Sequence, residues 1–241
     1  MKTDIKKVLS IDLDYIMGPS IMLYNDLVGN PEFQGKEFWD KVEDLRGIEK
    51  FLSYDDESLV FITKLFTKAV KDLPEDRIFF GKEHDMILEF LCGDPLKAEE
   101  FFDIYNIDHH HDIYYGDRQR EEVDRFDFAC LANWVYYLGK NEKIAKYHWI
   151  KNEKSVPFPK DDIADLLFPV DFNMKRDELL KLKFDYVFVC QSAGYLPKKF
   201  HEFFNLIKGI ADSLKEKEYI VWKEDYCRDG KTRHIAKGGE C

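Results

Sequence analysis

Val8-Leu9-Ser10-Ile11 followed by Asp12-Leu13-Asp14 is the stretch on which the fold turns. Four residues suited to a buried strand run directly into two acids, and the unit stops at Gly18-Pro19, a pair that breaks regular structure. A strand that ends in carboxylates is typical of a parallel sheet, where ligands gather outside the carboxyl ends of the strands.

The same grammar recurs along the chain. Arg77 to Gly81 reads as a strand ending just before His84, and Phe101 to Ile107 as a strand ending in Asp108-His109-His110-His111-Asp112. Ile144 to Ile150 and Phe184 to Cys190 are two further strands. Between them lie helical stretches: roughly Lys36 to Phe51, Asp56 to Lys71 closed by Pro74, a short one from Met86 to Leu91, Phe126 to Leu138, and Pro197 to Leu214. The second carries Leu59, Ile62, Leu65, Phe66 and Ala69 at helical spacing. Val156 to Pro169, rich in proline, reads as a surface excursion. Strands alternating with helices predict a three-layer α/β/α fold around a mostly parallel sheet, with residues 1–241 forming one domain and 226–241 a peripheral tail.

Composition narrows the partners. A formal net charge of −11 over 241 residues disfavours nucleic acid, whose phosphates need a basic surface, and is easier to reconcile with a cationic substrate. No signal peptide or membrane span is expected at the amino terminus. The five cysteines, Cys92, Cys130, Cys190, Cys227 and Cys241, are scattered and odd in number, which fits a reduced, cytoplasmic setting.

In an extended segment side chains alternate, so Asp12 and Asp14 share one side, as do Asp108, His110 and Asp112. Such neighbours lie about 6–7 Å apart, close enough to grip shared ions and too close to stay ionised comfortably without them. Alternation leaves His109 and His111 facing elsewhere. With His84, the set comprises four carboxylates and two imidazoles, an oxygen-rich group that suits two Mn²⁺ ions, although iron, cobalt or zinc could substitute. The plainer alternative is that Asp12 and Asp14 cap a turn and the histidines form a polar patch.

Gly81-Lys82-Glu83-His84, Asp108-His109-His110-His111-Asp112 and Ile11-Asp12-Leu13-Asp14 resemble the three metal-binding segments of the ureohydrolases, the arginase and agmatinase group of the arginase/deacetylase superfamily. The Asp-x-Asp segment comes first here and last in ordinary arginases. That order is similar to the small branch of the superfamily that includes the peptide arginases, which convert arginine within peptides to ornithine and urea. Ala132-Asn133-Trp134 and Val189 to Pro197 extend the resemblance.

The resemblance implies an arginase/deacetylase-like fold, with Asp12 and Asp108 bridging two manganese ions, His84 and Asp112 completing one site, and His110 and Asp14 the other. It implies attack of metal-activated water on a guanidinium carbon, with Asp14 delivering a proton to the leaving amine. His111 and His148 are options for a separate proton shuttle. Where arginases carry a guanidinium-binding glutamate this chain has Gln191 and Ser192, so the acidic partner is open among Glu83, Asp85, Asp117 and Asp127. Substrate contacts are expected from Gln191, Ser192, Asn133 and Asp85. Trp134 reads as core packing. The expected partner is an arginine-containing peptide or another guanidino compound, with neither nucleic acid nor membrane, and the oligomeric state is left open. Two other readings stand beside this one: a phosphoesterase of the Asp-His-His type, with Asp12-x-Asp14 and Asp108-His109-His110, and a non-catalytic metal-binding or peptide-recognition module.

Overall fold

The computed structural model describes residues 4–18, 38–45, 52–93 and 100–215. The tail at 226–241, part of the helix expected over 36–51, and Cys227 and Cys241 lie outside them.

Six strands form one all-parallel sheet: β1 (Ile5–Asp12), β2 (Ile78–Gly81), β3 (Phe101–Asp108), β4 (Ile144–Lys151), β5 (Val170–Asp171) and β6 (Tyr186–Cys190). Their order is β2-β6-β1-β3-β4-β5. Seven α-helices accompany them among the described residues: α1 (Phe38–Glu43), α2 (Asp56–Val70), α3 (Met86–Cys92), α4 (Asp117–Phe126), α5 (Trp134–Lys140), α6 (Arg176–Leu179) and α7 (Glu202–Lys215).

Alternation along the strands builds two cores, one on each face. Leu9 and Ile11 of β1, Tyr105 and Ile107 of β3, and Val187 and Val189 of β6 pack with Ile62, Leu65 and Phe66 of α2 and Ile207 and Ala211 of α7. Val8, Phe102, Ile104, Tyr186 and Phe188 point the other way, onto Leu88 and Leu91 of α3 and Trp134 and Leu138 of α5. Each such large side chain contributes about 1.5–3 kcal/mol when fully buried, so neither face could be left uncovered. The result is a three-layer α/β architecture.

The chain leaves central β1 for β2 on one side, then crosses to β3 on the other. The carboxyl end of β1 is thus the point at which a doubly wound sheet opens a crevice. No helix among the described residues is long and apolar enough to cross a membrane.

The helix expected over Phe126 to Leu138 is not continuous. The structure has α4 ending at Phe126, a non-helical loop, and α5 beginning at Trp134. Asp127 adopts a left-handed conformation with φ 52°, and its N–H and that of Phe128 fold back onto the carbonyls of Val123 and Glu122, which stops the helix.

Candidate metal centre

The six expected ligands come together at the carboxyl ends of β1, β2 and β3, by a route that differs from simple alternation. Asp12 and Asp108 are the last residues of β1 and β3 and point to the same face of the sheet as Val8 and Ile104. Beyond them neither segment stays extended. Leu13–Ile16 turns into a 3-10 helix capped by Asp12, whose Oδ1 accepts from Asp14 N at 2.9 Å. The capping role and the ligand role therefore coexist in one carboxylate. After Asp108 the chain bends, and Asp112 returns to the site in a left-handed conformation with φ 51°.

His84 is the hub of one group. Its Nδ1 lies 2.9 Å from Asp112 Oδ2, 3.0 Å from Asp108 Oδ2 and 3.2 Å from Asp12 Oδ2, yet makes no hydrogen bond of acceptable geometry. Its Nε2 lies 2.7 Å from Ser10 Oγ. His110 anchors the second group, with Nδ1 2.7 Å from Asp14 Oδ2 and 3.9 Å from Asp108 Oδ1; Asp14 Oδ2 is likewise left without a hydrogen bond. Two sets of ligand atoms, Asp12-His84-Asp108 and Asp14-Asp108-His110, each lie within 4.8 Å of one another and can hold a metal ion. Asp108 belongs to both.

Without a cation these groups are poorly matched. Burial, and then the charges of Asp12 and Asp108, push the Asp14 carboxyl well above the usual carboxylate range. Burial and the neighbouring Asp112 and Asp12 lift Asp108 to about 7. Burial opposes charge on both imidazoles, but the carboxylates outweigh it, raising His110 to about 10 and His84 well above its ordinary value. Asp12 is lowered on balance, since His84 overcomes the effect of burial. Buried acids that resist ionisation around unpartnered imidazole and carboxylate atoms are what a divalent cation would relieve, so the donor set fits a metal.

Other residues hold the ligands in place, and sequence patterns gave no sign of most of them. Asn106 Nδ2 donates to Asp108 Oδ2 at 3.1 Å and to the Tyr147 hydroxyl at 3.1 Å. The Trp134 indole N–H donates to Asp112 Oδ2 at 2.8 Å. His109 N donates to Asp14 Oδ1 at 3.2 Å. Ser192, also left-handed with φ 56°, lines the cavity beside Asp12, its N–H donating to Cys190 Sγ at 3.2 Å. Two non-glycine residues in this sparsely populated conformation flank the same cluster, where local structure must hold them against strain.

A cavity of about 460 Å³ opens onto the cluster. Asp12, His84, His110 and Asp112 face it, whereas Asp14 and Asp108 lie behind. Its wall also carries Glu83, His109, Tyr115, Gln119, Ser192 and Tyr195. Tyr115 and Tyr195 sit on His110, with ring centroids 6.2 and 4.8 Å away.

The remaining expected residues fall as follows. Among the four acids considered for a guanidinium, only Glu83 lines the cavity; Asp85, Asp117 and Asp127 do not. Ser192 lines it and Gln191 does not. Asn133 is buried away from it, its Oδ1 accepting from Cys130 N at 2.7 Å and its Nδ2 donating to Gln119 O at 3.1 Å. His111 is packed among Tyr115, Trp149 and Phe158, with Nδ1 accepting from Ile113 N at 3.2 Å and burial lowering its pKa to about 3. His109, which alternation directs away from the site, is the member of the histidine run that joins His110 on the wall. His148 is on the opposite face of the sheet, between Asp103 and Asp171 at 3.1 and 3.3 Å.

No family model, curated protein or solved structure matches this chain. The resemblance to ureohydrolases therefore rests on the motifs quoted above.

Proposed function

We propose that this chain is a dinuclear manganese hydrolase of guanidino groups, acting on arginine within peptides to leave ornithine and release urea. The observation that carries the reading is the pair of ligand sets sharing Asp108, set in a cavity whose described wall holds carboxylates and neither lysine nor arginine. With the ligand carboxylates neutralised by bound ions, this wall keeps Glu83 as an acid for a guanidinium and has no lysine or arginine to grip a phosphodiester, which argues against the phosphoesterase alternative.

Asp12, His84, Asp108 and Asp112 would hold one ion, and Asp14, Asp108 and His110 the other. Oxygen-rich donors with two imidazoles favour manganese. When bound, the ions supply a water of lowered pKa and polarise the substrate. The protein supplies orientation. Glu83 offers a carboxylate to the planar cation, and Tyr115 and Tyr195 offer ring faces, on which guanidinium groups stack. Asp14 would take up the proton given off by the attacking water and deliver it to the departing amine, the role the ureohydrolase resemblance implies for it.

Arginine inside a peptide is favoured over free arginine on two grounds. The described wall has no cation to receive an α-carboxylate, and two of its residues, Val156 and Tyr115, are 63% and 42% exposed, giving the entrance an apolar edge. No disulfide joins Cys92, Cys130 or Cys190 among the described residues, in keeping with a reducing cytoplasm.

The test is urea release by manganese-loaded protein from an arginine-containing peptide, beside free arginine and a phosphodiester. Urea from the peptide is expected. Urea from free arginine alone would overturn the peptide assignment. Phosphodiester cleavage without urea would overturn the guanidino assignment, and bound metal without turnover on any of the three would point to a binding module.

A further inference from the structure

Ala132-Asn133-Trp134, which the functional reading leaves without a task, sits where the loop after α4 enters α5, and its three residues reach the site in three ways. Ala132 borders the cavity. Asn133 ties Cys130 N to Gln119 O, and Gln119 also lines the cavity. Trp134 is fully buried, and its indole N–H donates to Asp112 Oδ2 at 2.8 Å, the same oxygen that lies 2.9 Å from His84 Nδ1. Its ring lies 5.0 Å from that of His84. The next residue, Val135, donates its N–H to the Asp112 carbonyl at 3.1 Å.

Asp112 is thus gripped at both ends by one helical start, its carboxylate by an indole and its carbonyl by a backbone N–H. It needs such a grip, because an aspartate at φ 51° is not in a conformation it prefers unaided. A buried indole N–H must find an acceptor, and the one it finds is a carboxylate 22 positions earlier in the chain.

We propose that Trp134 is a positioning residue for metal binding, acting through Asp112 to fix the orientation of that carboxylate against His84. The proposal rests on the reading of the cluster as a metal centre and is independent of the substrate. A residue that orients a ligand in this way changes metal affinity by about 10- to 100-fold when its hydrogen bond is removed.

The experiment is a calorimetric titration of metal-free protein with Mn²⁺ for wild type, Trp134→Phe, Asp112→Asn and the double variant. Trp134→Phe should weaken binding by about tenfold or more and add little in the Asp112→Asn background, because the bond through which it acts is already altered. Wild-type affinity in Trp134→Phe, or fully additive losses in the double variant, would overturn the proposal. Trp149→Phe removes an indole bonded at 3.0 Å to the Asp108 carbonyl rather than to a ligand side chain, and should weaken binding less; an equal loss would also count against a specific role for Trp134.

Should Trp134→Phe fail to fold, the indole N–H resonances of wild-type protein decide. The Trp134 signal should shift when a diamagnetic divalent ion, Zn²⁺, is added, and an unmoved signal in ion-bound protein refutes the coupling. Wild-type protein that binds no Mn²⁺ overturns the metal centre itself, and this proposal with it. Wild-type binding with an indifferent Trp134→Phe overturns the positioning role alone.

Discussion

Ser10 Oγ lies 2.7 Å from Nε2 of His84, and the opposite ring nitrogen, Nδ1, faces three carboxylates. A hydrogen donated from Nε2 to the serine leaves the Nδ1 lone pair aimed at Asp12, Asp108 and Asp112, an arrangement that calls for a cation between them. Ser10→Ala removes the acceptor from a buried pair. Metal-free Ser10→Ala should lose about 1–3 kcal/mol in urea denaturation, and Mn²⁺ affinity should fall about 10- to 100-fold. Unchanged affinity by calorimetry would mean that the serine does not set the ring.

The charge pattern of the cluster gives a pH dependence with a defined sign. In the metal-free chain His110, raised from 6.5 to about 10, contributes stability that is complete below 6.5 and is lost as pH rises through about 10. Asp108, raised from 3.8 to about 7, contributes stability present below 3.8 and lost as pH rises through about 7. Both therefore make the metal-free fold weaker on the alkaline side, while metal binding displaces the same protons. The rise in melting temperature on adding Mn²⁺ should grow from about pH 6 to about pH 8.5. Differential scanning fluorimetry with and without Mn²⁺ measures this. A rise that is flat or shrinks with pH would show that these groups do not bind the ion.

Much of this site could be read from order along the chain, because Ile11-Asp12 and Ile107-Asp108 are apolar strands that end abruptly in acids. The path to Asp112 could not. Alternation selects it correctly, but the residue arrives by a bend and a left-handed turn, and the same rule misplaces His109, which the bend turns onto the cavity wall. Helix α4 has no apolar stripe to mark it in the sequence, because Val123 is its single buried residue. In sequence Trp134 reads as packing, as an indole in an apolar helix does; its bond to Asp112 joins positions with no local pattern between them. Contacts of that kind become legible only in three dimensions.

Glu83 and Asp85 are two residues apart, and only Glu83 lines the cavity. A charged hydrogen bond to a bound guanidinium is worth about 1.5–3 kcal/mol. Glu83→Gln should therefore raise KM for the arginine peptide about ten- to hundredfold with Mn²⁺ content unchanged, whereas Asp85→Asn should alter it by no more than about twofold. Steady-state urea assays on both variants test the contrast. Equal effects, or a larger one from Asp85→Asn, would remove Glu83 from substrate binding.

Gly81 closes β2 against the other side of the same histidine. A Cβ there would lie 2.8 Å from Phe188 Cζ and 3.2 Å from Met86 Cβ, and the Phe188 ring stacks on His84 at 5.8 Å with an interplanar angle of 11°. Gly81→Ala must therefore move Phe188, and through it the imidazole. The expected cost is about 1–3 kcal/mol of stability, as for other overpacked cores, accompanied by weaker Mn²⁺ binding. Gly194, in the loop after β6, has no atom within 4 Å of an added Cβ, and Gly194→Ala should change stability by less than about 1 kcal/mol with metal affinity intact. Urea denaturation and calorimetry on the two variants separate a local steric effect at the metal centre from a general intolerance of the site loops. Were Gly81→Ala to bind Mn²⁺ as tightly as wild type, the contact between Phe188 and His84 would have no part in holding the ligand.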